Sequence, residues 1–316
     1  MTSNEPRSAT AFAPATVGNV AVGFDILGCA LEAPGDRVTV ERIDAPEVRV
    51  DSIEGLVTDL PMAAGENTAT AGLVELVDDL GLDYGLSVSI DKGIPLGSGM
   101  GGSAASAVAS VVAADAVVDA ELEREELLRY ALVGETVASG AMHGDNVTPC
   151  LCGGLTLTRS VDPIDVVELP VPERIRCILV YPHRRIDTER ARRVVPEEMA
   201  VARYVEQSAN LAGFVAACYR DDLELLERSL ADVLVEPYRK NLIPGFSTVR
   251  RAAIAAGALG CSISGAGPSL FAWTTDDRED LVAEAMRSAF VEEGADVDVW
   301  SGPISARGAY VVDSSG

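Results

Sequence analysis

Residues 92–106 read KGIPLGSGMGGSAAS: one lysine, five glycines and three serines in a single stretch. Ordering glycine in regular structure costs roughly 0.5–1 kcal/mol per residue relative to alanine. Close approach of backbone amides to an anion would offset that cost. The alternating segment Leu86–Ile90 precedes the stretch, and the small, apolar, helix-like run Ser103–Val118 follows it. Strand, glycine loop and helix are the general arrangement for holding phosphate. The free N–H groups of the first turn face the anion, and the helix dipole adds about half a positive charge. The pattern GxxxxGK[ST] is absent, as is GxGxxG with its acidic partner. On these residues alone, a purely structural glycine turn stays open as the alternative.

The charge of the chain narrows its partners. Across 316 residues, 49 acids face 25 bases, giving −24, and only Lys92 and Lys240 are lysines. A nucleic-acid partner needs a basic face, which this composition does not supply. So much self-repulsion, with so little lysine, fits a cytoplasm of concentrated salt, where the screening length falls to about 3 Å near 1 M. With surface lysine so rare, Lys92 and Lys240 read as retained for specific contacts. The six cysteines (29, 150, 152, 177, 218 and 261) lack CxxC spacing and sit in apolar surroundings, so they read as buried free thiols. Cys150-x-Cys152 offers two sulfurs without further ligands nearby, which does not close a tetrahedral metal site. No apolar run is long enough to span a membrane and no leader peptide is evident, so the expectation is a cytoplasmic protein with no membrane partner.

Elements that would position the loop follow from periodicity. Strands are expected over Ala9–Ala13, Val38–Ile43, Val48–Ile53, Leu86–Ile90 and Leu155–Thr158, with a turn-rich segment over Pro14–Gly23. Asn67 is placed to cap a helix Thr68–Leu80 that Gly81 ends, and Leu122–Val137 reads as an amphipathic helix. Asp162–Pro172, rich in proline and acids, is expected to cross into a second unit. There the strands are Ile175–Tyr181, Ala258–Ser264, Ser269–Thr275, Val297–Trp300 and Ala309–Val312. Helices are expected over Pro196–Tyr219, Leu223–Leu234, Phe246–Ala256 and Arg278–Glu293. Strands and helices mix without strict alternation, which points to an α+β class.

Three stretches together carry a family resemblance. Pro95-x-x-x-Gly99-Met100-Gly101-Gly102-Ser103-Ala104-Ala105 resembles the P-x3-G-L-G-S-S-A-A signature of the GHMP kinases. Phe12 to Gly28, FAPATVGNVAVGFDILG, resembles their first motif in its homoserine kinase form. Gly260 to Ser269, GCSISGAGPS, resembles their C-terminal glycine motif. The order is the family's order, and the matches span nearly the whole chain. One departure stands out: the family's paired serines appear as Gly102-Ser103.

The resemblance implies ATP as phosphoryl donor, Mg2+ as cofactor, and a two-domain α+β GHMP kinase fold. Its N-terminal ribosomal-protein-like domain would cover residues 1–161 and its C-terminal ferredoxin-like domain residues 162–316. It implies a nucleotide site from Asn67, Pro95, Leu96, Gly97, Ser98, Gly99, Met100, Gly101, Gly102, Ser103 and Ala104. Ser103 and Glu135 would share the metal. His143-Gly-Asp-Asn-Val-Thr-Pro149 resembles the HxDNxxP segment of the homoserine kinases, and the acceptor it implies is L-homoserine. Asp25 would meet the substrate ammonium, with Asn19 and His143 as polar partners. Arg192 and Arg239 match the family's carboxylate-binding arginines, and Thr188 and Gly265 are expected among the substrate-binding residues. Asn146 stands where mevalonate kinases carry an aspartate base, so it is expected to orient the hydroxyl. Lys92 and the loop amides would stabilise the transferring phosphoryl group. A homodimer is allowed. Two other readings accompany this one: a related kinase of another small alcohol such as shikimate, and a non-catalytic ligand sensor on the same scaffold.

Overall fold

The computed structural model describes residues 7–118, 120–304 and 307–315. Strands β1 (Ser8–Gly18), β2 (Leu27–Ile43), β3 (Val48–Gly55) and β4 (Gly85–Lys92) form the first sheet in the order β1-β2-β4-β3, with β3 parallel to β4. Helix α1 (Thr68–Leu80) starts as its sequence predicts: Asn67 Oδ1 accepts the Ala69 amide at 2.9 Å, and Gly81 ends it in the left-handed region. Helices α2 (Gly102–Val118), α3 (Arg124–Ser139) and α4 (Val147–Cys152) follow. Helix α2 is alanine- and valine-rich on every side, and it is buried accordingly.

The expected boundary at residues 161 and 162 falls inside a hairpin. Strand β5 (Leu155–Val161) pairs antiparallel with β6 (Ile164–Leu169), and β5 also pairs with β2. The segment read as a crossover is therefore the last hairpin of the first sheet; Asp162-Pro163 forms its turn. Likewise, Pro14–Gly18 is strand rather than turn, because Thr16, Val17 and Gly18 pair with Ala30, Cys29 and Gly28.

The second sheet begins with β7 (Ile175–Tyr181). Helices α5 (Thr188–Arg193), α6 (Val201–Arg220), α7 (Leu223–Ser229), α8 (Glu236–Arg239) and α9 (Phe246–Ala256) follow. Strands β8 (Gly260–Ile263) and β9 (Leu270–Thr275), helix α10 (Glu279–Glu292) and β10 (Asp298–Pro303) complete it in the order β10-β7-β9-β8. Helix α7 stops at Ser229, short of the expected Leu234, because Asp232 turns the chain by accepting three backbone amides (Leu234, Val235 and Glu236) at 2.8–3.0 Å. The last strand, β11 (Tyr310–Ser315), returns to pair with β1 in the first sheet.

Alternation along β7 places this sheet between two cores. Ile175, Cys177 and Leu179 join the core that also holds β1, β2, β4 and α2, with Phe214, Phe271 and Trp273. Ile178 and Val180 face the other way, into a second core with Val249, Met286 and Phe290 of α9 and α10. A strand buried on both faces reads as a near-continuous apolar run, and IRCILVY is apolar at every position but Arg176.

Candidate active site

A single cavity of about 450 Å³ gathers nearly all the residues singled out above. Its floor is the glycine loop. Gly97, Gly99 and Gly101 have φ of 63°, 78° and 68°, a region that residues with side chains rarely adopt. Space forbids a side chain as well: a Cβ on Gly99 would sit 2.5 Å from the Ser264 carbonyl oxygen, and one on Gly101 would sit 2.1 Å from Thr16 Oγ1. The loop is stapled on both sides. Ile186 donates its amide to the Gly97 carbonyl, and Ser269 donates its amide to the Ser98 carbonyl, both at 3.1 Å. The C-terminal glycine motif thus serves as a clamp on the loop, through Ser264 and Ser269.

Lys92 departs from its expected role. Its ammonium is buried against Asp36, which is itself fully buried, and it donates to the Gly102 carbonyl at 2.7 Å and to Ser106 Oγ at 2.8 Å. Those contacts use the three donors an ammonium has. Asp36 completes the knot by accepting the Gly93 and Ile94 amides at 3.0 and 3.1 Å, and the Ser106 hydroxyl at 2.8 Å. Lys92 is thus a positioning residue that fixes both ends of the loop, and no donor remains for a phosphate. Sequence reading missed Asp36. The signal for it was an acid in alternating register with the buried Val38 and Val40 of β2, since a buried lysine needs a counter-charge. Ala104 is the one expected loop residue outside the lining of the cavity. Its methyl group is fully buried in the core, because the third residue of α2 turns inward. Gly102, where the family has a serine, is close-packed: a Cβ there would meet Ile94 Cγ2 at 3.1 Å.

Ser103 and Glu135 meet on the wall beside the loop. The Ser103 hydroxyl donates to the Glu135 carboxylate, yet burial still pushes that carboxyl up to about 7, and the nearby Asp145 adds to the rise. Asp145, also buried, is lifted to about 7 as well, by desolvation first and by the charge of Asp25 second. A carboxylate and a hydroxyl are hard oxygen donors, and a carboxylate buried at such a cost on a cavity wall is a fit for a cation. Asn67 lines the cavity too, with its oxygen spent on the cap of α1 and its amide donating to the Pro61 carbonyl at 2.7 Å.

Asn146 sits where β1 and β2 make room for it. Gly18 and Gly28 are paired across those strands. A Cβ on Gly18 would lie 2.5 Å from Asp145 Oδ2, and one on Gly28 would lie 1.7 Å from the Asp145 carbonyl oxygen. Thr16 Oγ1 donates to Asn146 Oδ1 at 2.8 Å, while Asn146 Nδ2 donates to Asp145 Oδ2 at 3.1 Å. The amide is therefore held from both ends. Thr16 and Asp145 are positioning partners, of which Thr16 was not anticipated.

The opposite end of the cavity is built on strained backbone. Asn19, Val20, Ala21 and Asp25 all have positive φ, costing of order 1–3 kcal/mol each. Hydrogen bonds hold them there: Asn19 Nδ2 donates to the Gly265 carbonyl, and the Asp25 amide donates to Asn19 Oδ1, both at 2.9 Å. The result presents Asp25 to Arg192 in a two-pronged pair, with both N–O distances 3.2 Å. His143 Nδ1 lies 3.7 Å from the same carboxylate. Burial holds His143 below the ordinary histidine range, with Asp25 acting against it, so it is neutral at pH 7. Arg239 is buried over Phe24 and donates to the carbonyls of Ala191 at 2.9 Å and Gly265 at 3.1 Å. Thr188 is exposed at the start of α5 and lines the same cavity. Among the described residues, Arg192 Nε and His143 Nε2 are buried here without hydrogen-bond partners.

Residues 67–154 match the family described as GHMP kinases N terminal domain, and residues 214–292 match GHMP kinases C terminal. The chain belongs to the GHMP kinases and has their two-domain fold. Its full-length relatives are more particular. Homoserine kinase of Xylella fastidiosa (strain M12) is 48% identical, over 97% of this chain and 94% of that protein. Homoserine kinase of Chlorobium phaeobacteroides (strain BS1) is 40% identical, over 97% of this chain and 100% of that protein. The crystal structure of homoserine kinase from Cytophaga hutchinsonii superposes with a TM-score of 0.95 at 42% identity, covering 99% of both chains.

Proposed function

We propose that this chain transfers the terminal phosphoryl group of ATP to the side-chain hydroxyl of L-homoserine, giving O-phospho-L-homoserine and ADP. One observation carries the reading. A single cavity joins a glycine loop at a helix N-terminus to a pole of opposite charges, Asp25 with Arg192 and Arg239, that suits an amino-acid zwitterion. Asp25 takes the ammonium, and the arginines, with the spare Arg192 Nε, take the carboxylate. Asn146 orients the hydroxyl, whose oxygen forms the new P–O bond as the bond to ADP breaks. Loose phosphoryl transfer is served by alignment and charge stabilisation, so an asparagine suffices where a base is dispensable.

Magnesium belongs to the same reading. Ser103 and Glu135 would hold it, and the ion supplies charge neutralisation on the phosphate oxygens. The reaction is assigned to threonine biosynthesis in the cytoplasm. The −24 charge with two lysines supports concentrated salt as its medium. Among the described residues no helix is long and apolar enough to cross a membrane.

The test is a substrate panel of L-homoserine, shikimate and mevalonate with magnesium-ATP, in molar and in dilute potassium chloride. ADP release that depends on L-homoserine and is strongest in molar salt is expected. Turnover with shikimate but not with L-homoserine overturns the acceptor assignment, and equal activity and melting temperature in both salts overturns the salt assignment.

A further inference from the structure

Four arginine or lysine side chains line the cavity: Lys92, Arg185, Arg192 and Arg239. Three are already engaged. Lys92 is sealed against Asp36, Arg192 is paired with Asp25, and Arg239 donates to two carbonyls. Arg185, among the described residues, has no ion pair and no hydrogen-bond acceptor. It is exposed, and it stands over the floor of the site. A Cβ on Gly97 would lie 2.5 Å from Arg185 Cγ and 3.1 Å from its Nε. The adjacent Ile186 amide bonds the Gly97 carbonyl, so the backbone carrying Arg185 is tied to the loop itself.

We propose that Arg185 is the cation that contacts the nucleotide's phosphates from the C-terminal side of the cleft. The proposal rests on the kinase reading above and names the group that supplies the charge which Lys92 cannot. A guanidinium presents a planar fork of donors matched to phosphate oxygens and stays charged at any working pH. In a chain of net charge −24, an unpaired arginine over a glycine loop is the local source of positive potential that a polyphosphate requires. A long exposed side chain can also swing with its ligand, whereas the buried Lys92 cannot.

The experiment is calorimetric titration of Arg185→Ala and Arg185→Lys with adenylyl imidodiphosphate, AMP and adenosine, with magnesium in the salt where the protein is folded. We expect Arg185→Ala to weaken the triphosphate analogue about 10-fold or more, to weaken AMP less, and to leave adenosine unchanged. Arg185→Lys should recover part of the loss. Unchanged binding of the triphosphate analogue by Arg185→Ala overturns the proposal. So does an equal loss across all three ligands, which would make Arg185 a support for the loop. These titrations need no acceptor, so a parent enzyme that fails to phosphorylate L-homoserine would sink the acceptor assignment while Arg185 is still decided.

Discussion

At the phosphate end of the cavity the ion pair of Lys92 and Asp36 is sealed, whereas at the acceptor end the pair of Arg192 and Asp25 is open. Lys92 and Asp36 are 4% and 0% exposed, and their hydrogen-bonding capacity goes to the backbone and Ser106. Arg192 and Asp25 are 33% and 24% exposed, and Arg192 retains a buried nitrogen with no partner among the described residues. A buried ion pair whose partners are complete holds a conformation; one with spare valences is available to a ligand. The same pair of residue types therefore does two jobs, and the number of unspent donors separates them. The strained Asn19–Asp25 backbone belongs to the open end, where a structural cost is retained to aim a carboxylate.

The sharpest way to break this contrast is Asp36→Ala. It strands a buried ammonium and two loop amides, and should cost about 3–5 kcal/mol of stability, read as the unfolding midpoint. Lys92→Met, which leaves Asp36 with its amides and Ser106, should cost less. A parent-like midpoint in Asp36→Ala would show that the sealed pair does not hold the loop.

Next in size is Arg192→Ala, at the open end. Losing a charged bond to substrate costs about 2–5 kcal/mol, so the KM for L-homoserine should rise roughly 30-fold or more while the KM for ATP stays near its parent value. A matching rise in both constants would mean that the two ends are not separate.

The two raised carboxyls give a pH test. Burial pushes the carboxyls of Glu135 and Asp145 up to about 7 in the folded chain, from ordinary values of 4.5 and 3.8. Between those values the folded state holds more protons than the unfolded one, so ligand-free stability falls as pH rises through that window and levels off above it. Glu135→Gln and Asp145→Asn should each remove part of that fall, gaining about 1–3 kcal/mol at pH 8 and nothing near pH 4, in melting curves without magnesium. Their gains should add incompletely, since the charge of Asp145 is part of what raises Glu135. Identical pH slopes in parent and variants would remove the case for a costly, cation-ready carboxylate.

The smallest effect sharpens the view of the centre. Thr16→Val removes one hydrogen bond to Asn146, worth about 0.5–1.5 kcal/mol, and should lower kcat several-fold with little change in either KM. A change confined to KM would make Thr16 a binding residue instead.

Local chemistry was legible in the linear sequence wherever neighbours in the chain make the structure. Asn67 before a helical period, Gly81 after it, and the glycine loop between β4 and α2 are contacts of short range, and their spans emerged nearly residue for residue. The run Ile175–Tyr181, apolar but for Arg176, likewise marked β7 as a strand, though not the two cores it divides. What no spacing encodes is which distant group consumes which donor. Asp36 lies 56 residues from Lys92, and Asp25 lies 167 from Arg192. Whether a lysine is spent or an arginine spare was decided by those encounters. The hairpin at Asp162-Pro163 shows the same division: its proline and acids look like a linker locally, but pairing to β5 makes it part of the first sheet. Arg185 was silent in the sequence for this reason too, since an arginine acquires meaning only from the acceptors that folding brings near it or keeps away.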